Sequence, residues 1–519
     1  MHLLRPYQRE AANAAWKAFK EFRKQLMVLP TGSGKTVIFA RMAGHPELQP
    51  ALILAHRDEL VNQAVERLKE TTGIEASIEK ASSNGSRTAP VVVGSIQTLA
   101  GVERLETWPN DHFKFVVIDE AHHALSDTWQ RVIEHFPSAK ILGVTATPHR
   151  GDKKNLGKYF ENVCYELSLL DLVHQGYLCP IKIRTVPLKI DLSSLRKKLG
   201  DYSEADSGAL LEPLLEKLGE TIKEYADDKK SLIFLPLRHT SRKLCSVLQS
   251  LGLKAEHIDG DDPDRKQKLE DFKSGKITHL CNAMLLTEGY DEPSIECIIP
   301  LRPTTSQPLY AQMVGRGTRN SPGKDCLLIL DYLWLHEQHS LIRPAHLIAE
   351  SDEIADAMTR MSEEAGREDS WPGGGDDGEL DLEGMHGSAV EEREETLRRR
   401  LEEKASRESK TINALEYALD VKELALADYE PTMPWESLPP TMRQLEILAK
   451  VGIAPESITC RGHASKVMGT VFFRTRNRLA TAKQVYWLAR YGHPHPNTVT
   501  MEEASKFLSK RWGKERNGE

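Results

Sequence analysis

Pro30-Thr31-Gly32-Ser33-Gly34-Lys35-Thr36 follows the apolar run Gln25-Leu26-Met27-Val28-Leu29 and precedes a helical pattern. The expected context is strand, glycine-rich loop and helix. The glycines let main-chain N–H groups come close to phosphate oxygens, and the helix N-terminus adds its dipole. There Lys35 would reach the β and γ phosphates, and the Thr36 hydroxyl would ligate Mg²⁺. Pro30, Thr31, Gly32, Ser33, Gly34, Lys35 and Thr36 are thus the predicted nucleotide cradle. Leu29 stands where the general pattern has its first glycine, and a turn that binds nothing is the competing reading.

Some eighty residues later, Asp119-Glu120-Ala121-His122 closes the apolar run Phe115-Val116-Val117-Ile118. A carboxylate at a strand end can hold Mg²⁺, which assigns the metal to Asp119 together with Thr36. Glu120 is placed to polarise an attacking water as general base. An acidic loop alone would be commonplace. After a phosphate loop it indicates an NTPase.

Short apolar runs alternate with amphipathic stretches up to about residue 345. They include Ala51–Leu54, Pro90–Val93, Ile141–Val144, Ser231–Leu235, Cys297–Pro300 and Cys326–Leu330. That alternation predicts parallel α/β layers. It falls into two sets, giving two tandem parallel-sheet α/β domains over 1–178 and 179–348. Residues 349–428 form an acidic segment, read as a solvated linker, partly disordered or helical. Its stretch Ser370-Trp371-Pro372-Gly373-Gly374-Gly375 has linker composition. Residues 429–519 read as a small helical domain holding a two-copy repeat. Thr441, Gln444, Leu448, Gly452, Ala464, Ser465 and Lys466 recur forty positions later as Thr481, Gln484, Leu488, Gly492, Ala504, Ser505 and Lys506.

The seven cysteines are scattered without a C-x-x-C pair, which argues against a disulfide framework or a zinc site. No run reaches the roughly 18 apolar residues of a membrane span. The first residues lack a signal-peptide pattern, so a cytoplasmic protein is expected. The net charge of −7 hides its distribution, with acids crowded after Ser351 and bases dominating after Arg461.

Taken together, the motifs over residues 3–345 resemble those of superfamily 2 helicases, which implies that the two α/β domains are RecA-like. Leu4-Arg5-Pro6-Tyr7-Gln8 is similar to their adenine-recognition motif, which implies nucleotide contacts from Arg5 and Gln8. The DEAH spelling of Asp119–His122 matches their motif II. Thr145-Ala146-Thr147-Pro148 resembles motif III, implying coupling roles for His122, Thr145 and Thr147. Ala55-His56-Arg57 and Gly94-Ser95-Ile96-Gln97-Thr98 resemble the strand-contacting motifs, implying nucleic-acid contacts from His56, Arg57, Gly94, Ser95, Gln97 and Thr98. Thr287-Glu288-Gly289-Tyr290-Asp291 resembles motif V, with Thr287 toward nucleic acid and Gly289 and Asp291 toward nucleotide. Gln312-Met313-Val314-Gly315-Arg316-Gly317-Thr318-Arg319 matches motif VI. The resemblance implies catalytic roles for Gln312, Arg316 and Arg319, the arginines facing the γ-phosphoryl group as the cleft closes.

The chain looks closest to RadD-like and XPB-like DNA helicases and to type III restriction motors. It departs from the RadD-like pattern, which carries a cysteine zinc element after the core. The resemblance implies an ATP- and Mg²⁺-dependent monomer moving on single-stranded, forked or branched DNA, in a bacterial or phage-infected host cytoplasm, in replication, recombination or repair. Duplex translocation without unwinding, an RNA helicase and a non-hydrolysing clamp are the alternatives. In the tail, Val471-Phe472-Phe473-Arg474-Thr475-Arg476-Asn477-Arg478 interleaves aromatics with arginines. It reads as a basic helical surface with buried Phe residues, a nucleic-acid contact or a docking site for a protein partner.

Overall fold

Leu26–Val28, Ala51–Ala55 and Phe115–Asp119 are buried along their whole length, which requires a sheet covered on both faces. In the computed structural model this is realised twice. The structure describes residues 4–56, 58–146, 156–191, 195–198, 201–283, 286, 290–335, 341–365, 379–404, 413–421, 423–427, 429–481, 484–485, 487–488, 491–493 and 495–516.

The first sheet is built from β1 (Lys24–Val28), β2 (Ala51–Ala55), β3 (Ser77–Glu79), β4 (Val91–Ser95), β5 (Phe115–Asp119), β6 (Lys140–Thr145) and β7 (Asn162–Glu166), in the order β3-β4-β2-β5-β6-β1-β7. Every neighbouring pair is parallel. Met27, Ile38, Phe39, Ile53, Val117 and Leu142 share its core, each fully buried side chain contributing roughly 1.5–3 kcal/mol. Because the strands are parallel, the loops after β1, β2, β4, β5 and β6 all emerge on one edge. The phosphate loop, His56, Gln97, Asp119 and Thr145 therefore collect there, where ligands bind in such sheets.

The second sheet comprises β8 (Ile181–Asp191), β11 (Ser231–Phe234), β12 (Ala255–Ile258), β13 (His279–Asn282), β14 (Cys297–Pro300), β15 (Leu327–Leu335) and β16 (Leu380–Asp381), in the order β12-β13-β11-β14-β15-β8-β16. Only β16 runs antiparallel, against β8. A two-residue ladder, β9 (Lys197–Lys198) with β10 (Asp201–Tyr202), stands apart. Its Asp201 carboxylate accepts from the Thr304 hydroxyl at 2.7 Å and the Thr305 N–H at 2.8 Å. β12 and β13 escaped the apolar-run reading because they carry His257, His279 and Asn282. Their burial is made tolerable by hydrogen bonds: His279 Nε2 lies 3.0 Å from the Ala226 carbonyl, and the Asn282 amide donates to the Ile233 carbonyl at 2.9 Å.

The chain divides into two units, Met1–Asp152 with Tyr159–Gly387, and Lys153–Lys158 with Ser388–Glu519. The acidic stretch is more ordered than its composition suggests. Helix Asp352–Ala365 buries Ile354, Ala355 and Met358, and helix Leu382–Lys404 buries Leu382, Met385 and Ala389. The charge density had masked apolar spacings of three and four residues. Residues 366–378 and 405–412, which include most of the glycine-rich run, lie outside the described residues.

In the second unit, helix Met442–Lys450, a turn at Gly452 (φ +87°) and helix Arg461–Arg476 form one copy of the repeat. The other copy keeps Gly492 (φ +72°) and helix Met501–Arg516. The two copies share their polar clamp. The Gln444 amide donates to Ser465 Oγ at 2.9 Å, and the Gln484 amide donates to Ser505 Oγ at 2.9 Å. All seven cysteines are free, and no His, Cys, Asp and Glu group suited to a metal ion occurs among the described residues. No described helix is long and apolar enough to cross a membrane.

Candidate functional site

The phosphate loop turns through Gly32 (φ +86°) and Gly34 (φ +79°), a region closed to most side chains. A methyl group at Gly34 would lie 2.7 Å from Gln8 Nε2, and one at Gly32 would lie 3.0 Å from Thr318 Oγ1. Hence the adenine-motif helix Pro6–Ala18 touches one side of the loop and motif VI closes over the other. Lys35 begins helix Lys35–Ala43 and is buried, its ammonium donating to the carbonyls of Leu29 (3.3 Å) and Pro30 (3.4 Å). Burial pushes its pKa down, opposed by the charges of Glu120 and Asp119. The Thr31 and Ser33 hydroxyls are buried without a hydrogen-bond partner. Orphaned donors of this kind are costly unless something completes them. Thr36 is half-buried in the first helical turn.

Asp119 ends β5 with a buried carboxylate, and the Glu120 N–H donates to it at 3.1 Å. Burial, reinforced by the neighbouring Glu120 charge, pushes its pKa up to about 7. A cation bound there would relieve both effects. Glu120 holds left-handed backbone (φ 53°), uncommon for a non-glycine residue, and so sits off the strand direction. His122 Nδ1 lies 3.4 Å from Glu120 Oε2. Thr145 is buried at the end of β6, and its carbonyl accepts the Leu29 N–H at 3.0 Å, tying motif III to the root of the phosphate loop.

The Gln8 amide donates to the Ser33 carbonyl at 3.1 Å, and its oxygen accepts the Arg5 N–H at 3.0 Å. Its oxygen has a second lone pair and its nitrogen a second hydrogen, which together suit the edge of an adenine. The Tyr7 hydroxyl donates to the same Ser33 carbonyl. The two stretches that resemble strand-contacting motifs are joined: the Gln97 amide donates to the His56 carbonyl at 2.5 Å, and its oxygen accepts the Ser95 hydroxyl at 2.7 Å. Gly94 is filled in from the side by Leu99, 2.7 Å from where a methyl would stand, and Thr98 is half-buried in the short helix Ile96–Leu99.

On the second sheet's side, Gln312 is buried in helix Gln307–Gly315. Arg316 donates to the Tyr290 carbonyl at 2.9 Å, close enough to Lys35 for the two charges to repel. Arg319 pairs with Asp291, whose other oxygen accepts from Arg67 at 3.1 Å. Lys35, Asp119, Glu120 and Arg316 thus share one electrostatic environment, while Arg319 is engaged beside them by Asp291. Arg57, Thr147, Thr287 and Gly289 lie outside the described residues.

Three participants escaped the sequence reading. Arg67, on helix Asp58–Thr72, bridges from the first domain to Asp291, 224 residues away. Tyr177 packs at a tilt against Tyr7 with centroids 4.8 Å apart, and the Arg5 guanidinium lies 5.3 Å from its ring centroid. Lys324 donates to the carbonyls of Gly317, Arg319 (3.0 Å) and Pro293 (3.4 Å), gathering the motif VI loop around one half-buried side chain. The segment between the sheets joins in, the Cys179 N–H donating to the Thr318 carbonyl at 2.8 Å. A lysine five residues past a motif, or an arginine on a helix face, carries no sequence signal of such contacts.

Comparison with known proteins places two domain families on the chain. Residues 1–150 match the family described as type III restriction enzyme, res subunit, and residues 213–321 match the helicase conserved C-terminal domain. The protein irc3 of Schizosaccharomyces pombe, named as a mitochondrial ATP-dependent helicase, is 33% identical over 346 residues, 63% of this chain and 57% of that protein. The DNA 3'-5' translocase XPB2 of Sulfurisphaera tokodaii is 23% identical over 369 residues, 63% of this chain and 80% of that protein. The chain spans little more than half the length of the IRC3 relatives it matches. In fold it resembles the ATP-dependent type ISP restriction-modification enzyme LlaBIII bound to DNA, with TM-score 0.54, 16% identity and coverage of 99% of this chain and 43% of that one. With both helicase domains matched in order along one chain, the protein carries the two-domain core of a superfamily 2 helicase.

Proposed function

We propose that this chain is an ATP-dependent DNA helicase or translocase that couples hydrolysis to movement along single-stranded, forked or branched DNA. The observation that carries the reading is the meeting of Thr31, Ser33 and Lys35 with motif VI across one cleft, two of their buried hydroxyls lacking partners. Such a loop is built to be completed by phosphate oxygens. Thr36 and Asp119 would hold Mg²⁺, whose charge would neutralise the β and γ oxygens and relieve the crowding of Asp119 by Glu120. Lys35 would exchange its carbonyl partners for phosphate. Glu120 would orient a water for in-line attack and accept its proton. Arg316 would face the charge that develops on the transferred group, and Arg319 would join it on release from Asp291.

The coupling follows from the same contacts. Gln8 and Tyr7 both donate to Ser33, so occupancy of the adenine side is felt at the phosphate loop. Asp291 bridges Arg67 and Arg319, so recruitment of Arg319 to nucleotide would leave the Asp291 carboxylate to Arg67 alone and strengthen that tie between the domains. Cycles of closure and reopening would then move the strand-contacting groups around His56 and Gln97 along DNA.

ATPase rate against no nucleic acid, single-stranded DNA, duplex DNA, forked DNA and RNA tests this, with Lys35→Ala as control. Stimulation by single-stranded or forked DNA that disappears in Lys35→Ala supports it, and stimulation by RNA alone overturns the substrate. A second reading, duplex translocation without strand separation, is favoured by the translocase name of the XPB2 relative. Stimulation by duplex without unwinding would select it.

A further inference from the structure

Residues 429–519 carry a charge pattern unlike the stretch before them. Residues 349–428 hold 24 Asp and Glu against 10 Lys and Arg, whereas 429–519 hold 8 against 14. From Ser457 through Met501 there is no carboxylate side chain at all, while seven Lys and Arg fall in that stretch. A solvated face normally mixes both signs. A long stretch of one sign indicates a polyanionic partner.

Helix Arg461–Arg476 lies within this stretch and exposes two adjacent rings, Phe472 at 51% and Phe473 at 62%. Among the residues whose side chains are described, they are the only exposed Phe, Tyr or Trp. Lys466, Gly469, Phe473 and Arg476 recur at the three- and four-residue spacing that aligns them along one face. Gly469 sits in mid-helix, where glycine is unfavourable relative to alanine, and a methyl group there would meet nothing within 4 Å. Packing therefore does not require it, and its effect is a bare patch of backbone beside the rings. Arg474 is buried instead, its guanidinium donating to the carbonyls of Ala480 and Asn497, and so fixes the end of the helix. In sequence, the aromatic–x–basic–x–basic spacing of Phe472, Arg474 and Arg476 returns forty residues later as Trp512, Lys514 and Arg516.

We propose that this face of helix Arg461–Arg476 is a second DNA contact, which holds unpaired DNA by stacking bases on Phe472 and Phe473 while Lys466, Arg476 and Arg478 neutralise the flanking phosphates. Exposed rings stack on bases only where these are unpaired, and they do so with little regard to sequence. The absence of carboxylates excludes no protein on its own. Paired with two stacking rings, it suits a strand that presents one charge and one ring per step. The contact requires no nucleotide, so it stands or falls separately from the ATPase reading.

The test uses the full-length protein without ATP and a labelled 40-residue thymidine oligonucleotide, with an abasic oligonucleotide of equal length beside it. The double variant Phe472→Ala/Phe473→Ala should lose about tenfold or more in affinity for the thymidine strand. It should bind the abasic strand as wild type does, and keep wild-type melting and basal ATPase. Phe472→Trp/Phe473→Trp should restore binding, and Arg476→Gln/Arg478→Gln should flatten the salt dependence by roughly 0.7 per lost phosphate contact. Unchanged affinity in the double alanine variant overturns the proposal. So does full binding by Phe472→Leu/Phe473→Leu, which would mark the face as an apolar protein-docking surface. Failure of Lys35→Ala to affect ATPase would overturn the motor reading while leaving this result untouched.

Discussion

The motor core and the repeated tail both set small polar residues at helix starts, yet they treat them oppositely. In the core, the Thr31 and Ser33 hydroxyls are buried with no partner, and Lys35 leans on two backbone carbonyls at 3.3 and 3.4 Å. In the tail, the Gln444 oxygen accepts from both the N–H and the hydroxyl of Thr441, and its amide donates to Ser465 at 2.9 Å. The second copy repeats this through Thr481, Gln484 and Ser505. One set waits for a ligand and the other closes on itself. Conserving a pattern in duplicate, as the tail does, therefore speaks for structure, while an incomplete pattern speaks for chemistry.

Substitutions should separate the two by what they change. The largest expected effect is from Lys35→Ala, a fall of about 10²–10³-fold or more in ATPase, with melting unchanged or raised, because a buried ammonium is removed. Phosphate release and calorimetry on the same sample check both halves. A large loss of stability would mean that Lys35 belongs to the closed, structural kind. Glu120→Gln should reach a similar loss in turnover while nucleotide binding is retained, since the carboxamide keeps the shape but cannot accept the proton. A nucleotide-binding titration that fails alongside turnover would count against the general-base role.

Lys324 falls between the two kinds, being half-buried and satisfied, but satisfied largely by carbonyls of the motif VI loop. Burial pushes its ammonium pKa down, which marks how enclosed it is. Lys324→Met should slow turnover about tenfold by letting Arg316 and Arg319 drift. KM for ATP should change little, and Lys324→Arg should recover part of the rate. A parallel rise in KM would place Lys324 with general folding and not with arginine positioning.

How much of this could be read from the amino acids follows the same division. Phosphate binding fixes the spacing of Gly32, Gly34 and Lys35, so that loop was legible, and so was Asp119 at its strand end. Apolar runs located β1, β2, β4, β5, β6, β11, β14 and β15. They missed β12 and β13, whose buried His279 and Asn282 are satisfied by carbonyls from other strands and helices. Arg67 and Asp291 meet across 224 residues, a distance at which no local pattern survives. Helical periodicity left Phe472 and Phe473 open between core and surface, because the helix Arg461–Arg476 buries Val467 and Arg474 and exposes the two rings between them.

The smallest effect belongs to the tail clamp. Gln444→Ala removes a capping partner of Thr441 and leaves the Ser465 hydroxyl without its donor. Each such loss costs roughly 1 kcal/mol. Gln444 is partly exposed, so water can replace some of what is lost, and about 1–2 kcal/mol for the substitution is the expected range. Gln484→Ala should cost a similar amount or slightly less, because Ser505 is more exposed than Ser465. Neither should alter basal ATPase. Two destabilisations of equal size that add in the double variant would show that the copies fold as independent modules. A double variant less stable than the sum would show that they share one cooperative unit, consistent with Arg474 reaching from the first copy to the carbonyls of Ala480 and Asn497 in the second.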